Sequence, residues 1–91
     1  MSDLLGKYFG HDSEAMQRLE EHRALQAWEM YVGDAACRVS TALRVRQGTL
    51  LVRVRDPLWM QQLSLLKREL IRKYQADFPR LEIRDIFFTR N

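Results

Sequence analysis

Leu50, Val52 and Val54 alternate with Leu51, Arg53 and Arg55, the period-two pattern of a strand with one buried face. Asp56-Pro57 ends it, because an Asp side chain caps the first amides of a helix and proline fits the first helical position, where no donor is needed. From there Trp59, Leu63, Leu66, Leu70 and Tyr74 recur at steps of four and three. That spacing predicts one apolar stripe on a helix from about Pro57 to Gln75, docked back on the strand it follows. Trp28 and Trp59 both fall on such lines and are expected to anchor the core, as large aromatics do in small domains.

Upstream, Leu25, Trp28 and Val32, with Ala24, Ala27 and Tyr31 beside them, form the buried line of a first helix that Asp12 or Ser13 would cap. Gly33 supplies the backbone freedom to end it. Before it, residues 1–10 read as a short lead in which Leu4, Leu5, Tyr8 and Phe9 form a helical turn, docked or frayed. From Ala36 to Arg46 the period becomes two, with Cys37, Val39, Thr41, Leu43 and Val45 on the core side. A two-residue turn at Gln47-Gly48 then pairs Arg46 with Thr49, Val45 with Leu50, Leu43 with Val52 and Thr41 with Val54.

After the second helix, Pro79 turns the chain into a last strand, Leu81 to Phe88, and a bulge near Arg84-Asp85 is needed to keep Ile86 and Phe88 on the core side. The order is α-β-β-α-β. It predicts an α+β, KH-like domain over residues 11–91, a three-stranded mixed sheet with two helices packed on one face and a right-handed crossover.

Composition narrows the classes. A chain of 91 residues builds one small core and leaves little room for a deep active site. No apolar run approaches the length of a membrane span and no secretory leader precedes the domain; with a lone Cys37, the expected setting is the reducing cytoplasm. The net charge of +3 is unevenly spread. Residues 1–34 hold three Lys/Arg against seven Asp/Glu, net −4, and residues 35–91 hold twelve against five, net +7. Such a division suits a polyanion at one place and a basic protein surface at another.

The paired register leaves Arg38, Ser40, Ala42, Arg44 and Arg46 facing outward beside Thr49, Leu51, Arg53 and Arg55. Five arginines crowd one face of the hairpin, and planar guanidinium groups fit phosphate oxygens. The expected ligand is a nucleic-acid backbone; the alternative is a solvated face whose arginine stems cover apolar surface. Lys67, Arg68, Arg72 and Lys73 form a second basic row on the second helix, which an amphipathic helix also shows on its wet side. Phe87 and Phe88 must point to opposite sheet faces, so one of them is expected at the surface, either as a partner contact or as cover for the sheet edge.

Catalysis has no support. His11 and His22 lack metal-ligand spacing, Cys37 reads as a small core thiol, Glu20, Glu21 and Glu69 read as solvated helix charges, and no phosphate-cradling or cofactor sequence occurs. No cofactor, metal or small-molecule substrate is expected. Glycines stand only at 6, 10, 33 and 48, so the Gly-x-x-Gly loop by which KH domains clamp single-stranded RNA is missing. Nor does the hairpin carry an aromatic on its outer face.

Between Leu25 and Phe88, Trp28 with Val32-Gly33, then Gly48-Thr49-Leu50-Leu51-Val52-Arg53-Val54, then Trp59 and Leu63, and finally Ile83, Ile86 and Phe88 resemble the DciA family. The pattern there is a tryptophan and Val-Gly closing the first helix, a "G-x-L-x-V-x-V" strand and "W-x-x-x-L" in the second helix. The resemblance implies a non-enzymatic adaptor that binds the DnaB-type replicative helicase and DNA, single-stranded DNA above all, and assists helicase loading in bacteria. From the residues alone, a free-standing KH-like binder of DNA or structured RNA, or a plain protein-interaction domain, stays open.

Overall fold

A computed structural model describes residues 2–90, with side chains from Glu14 onward. The chain order is helix α1 (Ser2–Val32), short helix α2 (Asp34–Cys37), strands β1 (Ser40–Arg46) and β2 (Thr49–Val54), helices α3 (Pro57–Leu65) and α4 (Lys67–Asp77), a 3-10 turn (Pro79–Leu81) and strand β3 (Asp85–Thr89). The expected α-β-β-α-β layout holds, each helical block being split in two. The sheet is mixed, in the order β1-β2-β3, with β2 antiparallel to β1 and parallel to β3.

Leu50, Val52, Val54 and Ile86 on one sheet face are fully buried, together with Trp28 of α1, Leu63 of α3, and Leu70 and Tyr74 of α4. Among the described residues no helix covers the opposite face, where Arg44, Arg46, Arg53 and Phe87 are exposed. Two hydroxyls tie the helices down. Tyr74 Oη–H donates to the Ala24 carbonyl at 2.9 Å. The Tyr31 ring meets Tyr74 edge-on at 4.8 Å, and its hydroxyl donates to the Asp77 carboxylate. Burial keeps the Tyr74 phenol protonated above the usual tyrosine range, and burial followed by the Asp77 contact does the same for Tyr31.

At the turn the expected geometry is present. Gln47 and Gly48 both take positive φ, 50° and 78°, which is the two-residue hairpin turn whose twist matches the strands. Gly48 is also required for space: a Cβ there would lie 2.8 Å from the Glu82 carbonyl oxygen, while the Gly48 carbonyl accepts Arg84 N–H at 2.7 Å. Asp56 Oδ1 accepts the amides of Leu58 at 2.8 Å and Trp59 at 3.2 Å, the cap read from Asp56-Pro57.

Away from the turn the hairpin departs from its expected register. Arg46 pairs with Thr49 and Val45 with Leu50, but a bulge between Ala42 and Arg44 shifts the rest, so that Ala42 faces Val52 and Ser40 faces Val54. Leu43 is the extra residue. Thr41 and Leu43 therefore leave the core side and lie exposed, while Ser40 turns inward. The reason is Trp28. It is 1% exposed, and its indole N–H donates to Ser40 Oγ at 2.9 Å, which in turn donates to the Ala36 carbonyl at 2.6 Å.

Other expectations are corrected too. The segment expected to open the first strand is helical, so Cys37 is a half-buried residue of α2 and Arg38 lies in the turn after it. α1 runs unbroken from Ser2, so neither Asp12 nor Ser13 starts it; whether Leu4, Leu5, Tyr8 and Phe9 dock lies outside the described side chains. The second helix breaks at Leu66 (φ −91°, ψ 2°), leaving Leu66 exposed and Trp59 only half-buried, so Trp28 is the fully enclosed tryptophan. Leu81 belongs to the 3-10 turn, and β3 starts at Asp85 with an unbroken register instead of a bulge, because left-handed Glu82 (φ 49°) makes the turn before it.

Two outcomes test this packing. Ser40→Ala should cost about 1–3 kcal/mol in urea unfolding by stranding the buried indole N–H, and should cost distinctly less in a Trp28→Phe background that has no donor to strand. The tyrosines set an alkaline limit. Their folded pKa values lie above the unfolded value near 10, so their contribution is complete below about pH 10 and is lost as pH rises beyond it, when the unfolded chain ionises first. The urea midpoint should fall above that pH in the wild type and fall less steeply in Tyr74→Phe; a pH-independent midpoint would refute the assignment.

Candidate nucleic-acid interface

The uncovered sheet face is ordered by the strand register in three rows. Arg46, Thr49 and Asp85 form the row at the turn end; Arg44, Leu51 and Phe87 form the middle row; Thr41, Arg53 and Thr89 form the third. Paired residues share a face, and in the middle row Phe87, from a strand the hairpin pattern did not include, is 57% exposed. Leu43, turned out by the bulge, adds a third apolar group beside Arg44. Arg44, Arg46, Gln47, Thr49, Leu51 and Phe87 line one shallow depression of about 220 Å³.

Arg44, Arg46 and Arg53 are exposed and form no ion pair with any described residue. Arginines two residues apart on one strand and on its neighbour repel one another unless an anion lies between them. Asp85 is the acid on this face, and it is already engaged: its Oδ1 accepts the Ile86 amide at 2.9 Å and lies 3.3 Å from Lys67 Nζ. The face is therefore basic with an apolar centre.

The remaining expected contacts scatter. Arg55 follows β2, and its guanidinium donates to the Arg38 carbonyl at 2.9 Å, so Arg38 and Arg55 form an exposed corner beyond the strand ends. The basic row of α4 divides. Lys67 reaches the sheet edge through Asp85 and stands 5.9 Å from the Phe88 ring. Lys73 Nζ sits 5.7 Å over the Tyr31 ring, at the α1 contact. Arg68 and Arg72 are exposed on α4, whose Leu70 and Tyr74 face the core; they look away from the sheet, on the opposite side of the domain from Arg44 and Arg53. Phe88 is half-buried, its ring 6.4 Å from Trp28, which makes it a packing residue where Phe87 is open.

Among the described residues no three His, Cys, Asp or Glu side chains group so as to hold a metal ion. Among the same residues no helix is long and apolar enough to cross a membrane. What fold and face define is a small α+β module whose accessible chemistry is a basic, apolar-centred sheet surface. The sequence profile of the family described as Dna[CI] antecedent, DciA, matches residues 1–88, and the chain belongs to the DciA family. Membership points to a role in replicative helicase loading. No curated protein gives a match.

The division of the arginines yields a direct test of which face meets a polyanion. Arg44→Glu with Arg53→Glu should weaken binding to DNA of any sequence and lower the salt slope by roughly one per lost phosphate contact, whereas Arg68→Glu with Arg72→Glu should change neither much. The reverse pattern, read by fluorescence anisotropy over a salt series, would move the interface to the outer side of α4.

Proposed function

We propose that this chain is a non-enzymatic adaptor that binds the DnaB-type replicative helicase and DNA and assists loading of the helicase on single-stranded DNA in the bacterial cytoplasm. Its α-β-β-α-β body, residues 11–91, works as one KH-like unit, although it has no Gly-x-x-Gly loop and so grips nucleic acid by another surface. The observation that carries the reading is the concentration of arginine on the uncovered sheet face, apart from the exposed acidic positions of α1. Arg44, Arg46 and Arg53 stand there with no ion pair to any described residue, while in the layer on the other side of the sheet Glu14 and Glu29 are exposed on α1 and Arg68 and Arg72 on α4. A polyanion and a basic protein surface are drawn to different sides of the molecule, and such charges chiefly steer the encounter and set its orientation.

Affinity for DNA in this scheme comes from phosphate contacts and carries little sequence information. A second reading, a free-standing nucleic-acid module, is favoured by one feature: exposed Phe87 amid arginines suits an unpaired strand with no helicase present.

Mixing the protein with its host's DnaB-type helicase at micromolar concentration in low salt decides between them. A complex is expected, with faster helicase loading on single-stranded DNA, association that slows as salt rises, and no nucleotide hydrolysis by the protein alone. Arg44→Glu with Arg53→Glu should keep the complex and lose DNA binding. Absence of any complex, with salt-dependent DNA binding intact, would leave the free-standing module as the function.

A further inference from the structure

The middle row of the outer face places an aromatic ring where phosphate-seeking groups surround it. Phe87 lies beside Leu51 across the parallel β2–β3 pair, Leu51 lies beside Arg44 across the hairpin, and Arg53 is two residues along β2 from Leu51, diagonal to the ring. Diagonal neighbours on one sheet face are within reach of aromatic and long side chains. Phe87 is 57% exposed and Leu51 beside it is half-buried, so the aromatic side chain is accessible to a ligand in the structure as it stands.

Two chemistries thus meet at one place. An apolar π-face takes another flat ring, and guanidinium groups take phosphate oxygens; a nucleotide offers both within one unit. Lys67 neutralises Asp85, the acid that would otherwise repel a phosphate at this end of the face. In a duplex the base faces are stacked on one another and closed to a side chain, so only the phosphates of a duplex can use this surface. An unpaired strand can use both.

We propose that Phe87, flanked by Leu51 and by Arg44, Arg46 and Arg53, is a stacking seat for an unpaired base, which makes the outer sheet face select single-stranded over double-stranded DNA. This rests on the DNA-binding reading above and adds to it the discriminating residue. The ring recognises a π-face and not a base edge, so the selection is for strandedness and not for sequence.

The test uses the full chain and three probes: a labelled oligothymidine, the same sugar-phosphate strand without bases, and a blunt duplex, each titrated by anisotropy over a range of salt. Phe87→Ala should weaken oligothymidine binding by roughly 5- to 100-fold, leave the abasic strand and the duplex within about twofold, and leave the salt slope unchanged. Phe87→Trp should restore oligothymidine binding. Urea midpoints of both variants should match the wild type, since the ring lies outside the core.

Equal loss on all three probes, or no loss on oligothymidine, overturns the stacking seat. So does a Phe87→Ala protein that keeps its DNA affinities and loses the helicase, because the ring is then a protein contact. The parent reading fails separately. If the wild type binds none of the probes at low salt, DNA binding itself is excluded; if it binds all three with a steep salt slope and Phe87→Ala is silent, only the seat is.

Discussion

An indole N–H enclosed in an apolar core must find an acceptor, and in this chain that requirement reaches as far as the outer surface. Trp28 finds Ser40 Oγ, and Ser40 passes the bond to Ala36. Ser40 must therefore point inward. At the other end of the same strand the Gln47-Gly48 turn sets Val45 opposite buried Leu50, so Val45 must point inward as well. Side chains alternate along a strand, and positions 40 and 45 have opposite parity; no regular strand satisfies both. One residue has to be inserted in the ladder, and Leu43 is that residue.

The consequence for the outer sheet face follows from the same parity. An unbulged strand would have placed Ser40 and Ala42 outside, in line with Arg44 and Arg46, and Thr41 and Leu43 inside. With the bulge, Arg44 and Arg46 stay outside because they lie on the turn side of Leu43, and Leu43 itself joins them. The arginines are thereby concentrated near the turn, next to Leu51 and Phe87, while Arg38 and Arg55 are left at a separate corner held by their own hydrogen bond. A core requirement thus shapes the surface that a ligand would meet.

Those features that were legible in the sequence depend on neighbours in the chain. Asp56-Pro57, Gln47-Gly48 and the alternation of Leu50, Val52 and Val54 each state their own local geometry, and the element order follows from them. What was hidden depends on distant partners. The bulge at Leu43 answers to a residue on α1, fifteen positions away, and no pattern within β1 announces it. The cap expected at Asp12 or Ser13 was overridden by a helix that runs through Gly6 and Gly10, each of which costs only about 1 kcal/mol relative to alanine, a cost that a helix of 31 residues absorbs. The break at Leu66 has no glycine, proline or side-chain cap to signal it. The outer face was read from the hairpin alone, so its arginines near the turn were found and its aromatic, supplied by β3, was not counted with them.

The proposed adaptor role requires that two partners be held without competing, and a two-layer domain meets that condition in a simple way. The helices that close the core occupy one side of the sheet, so the exposed acidic positions of α1 and the outward arginines of β1 and β2 lie on opposite sides of the same rigid body. Cross-talk between two such surfaces requires a change carried through the core, and the core contacts between them are discrete: Glu21 of α1 accepts the Val45 amide of β1 at 3.3 Å, Trp28 holds Ser40, and Tyr74 of α4 holds Ala24. Each of these joins α1 to another element, and two of them end on the strand that bears Arg44 and Arg46. A partner that displaced α1 would therefore act first on β1, at the bulge that sets which side chains face outward.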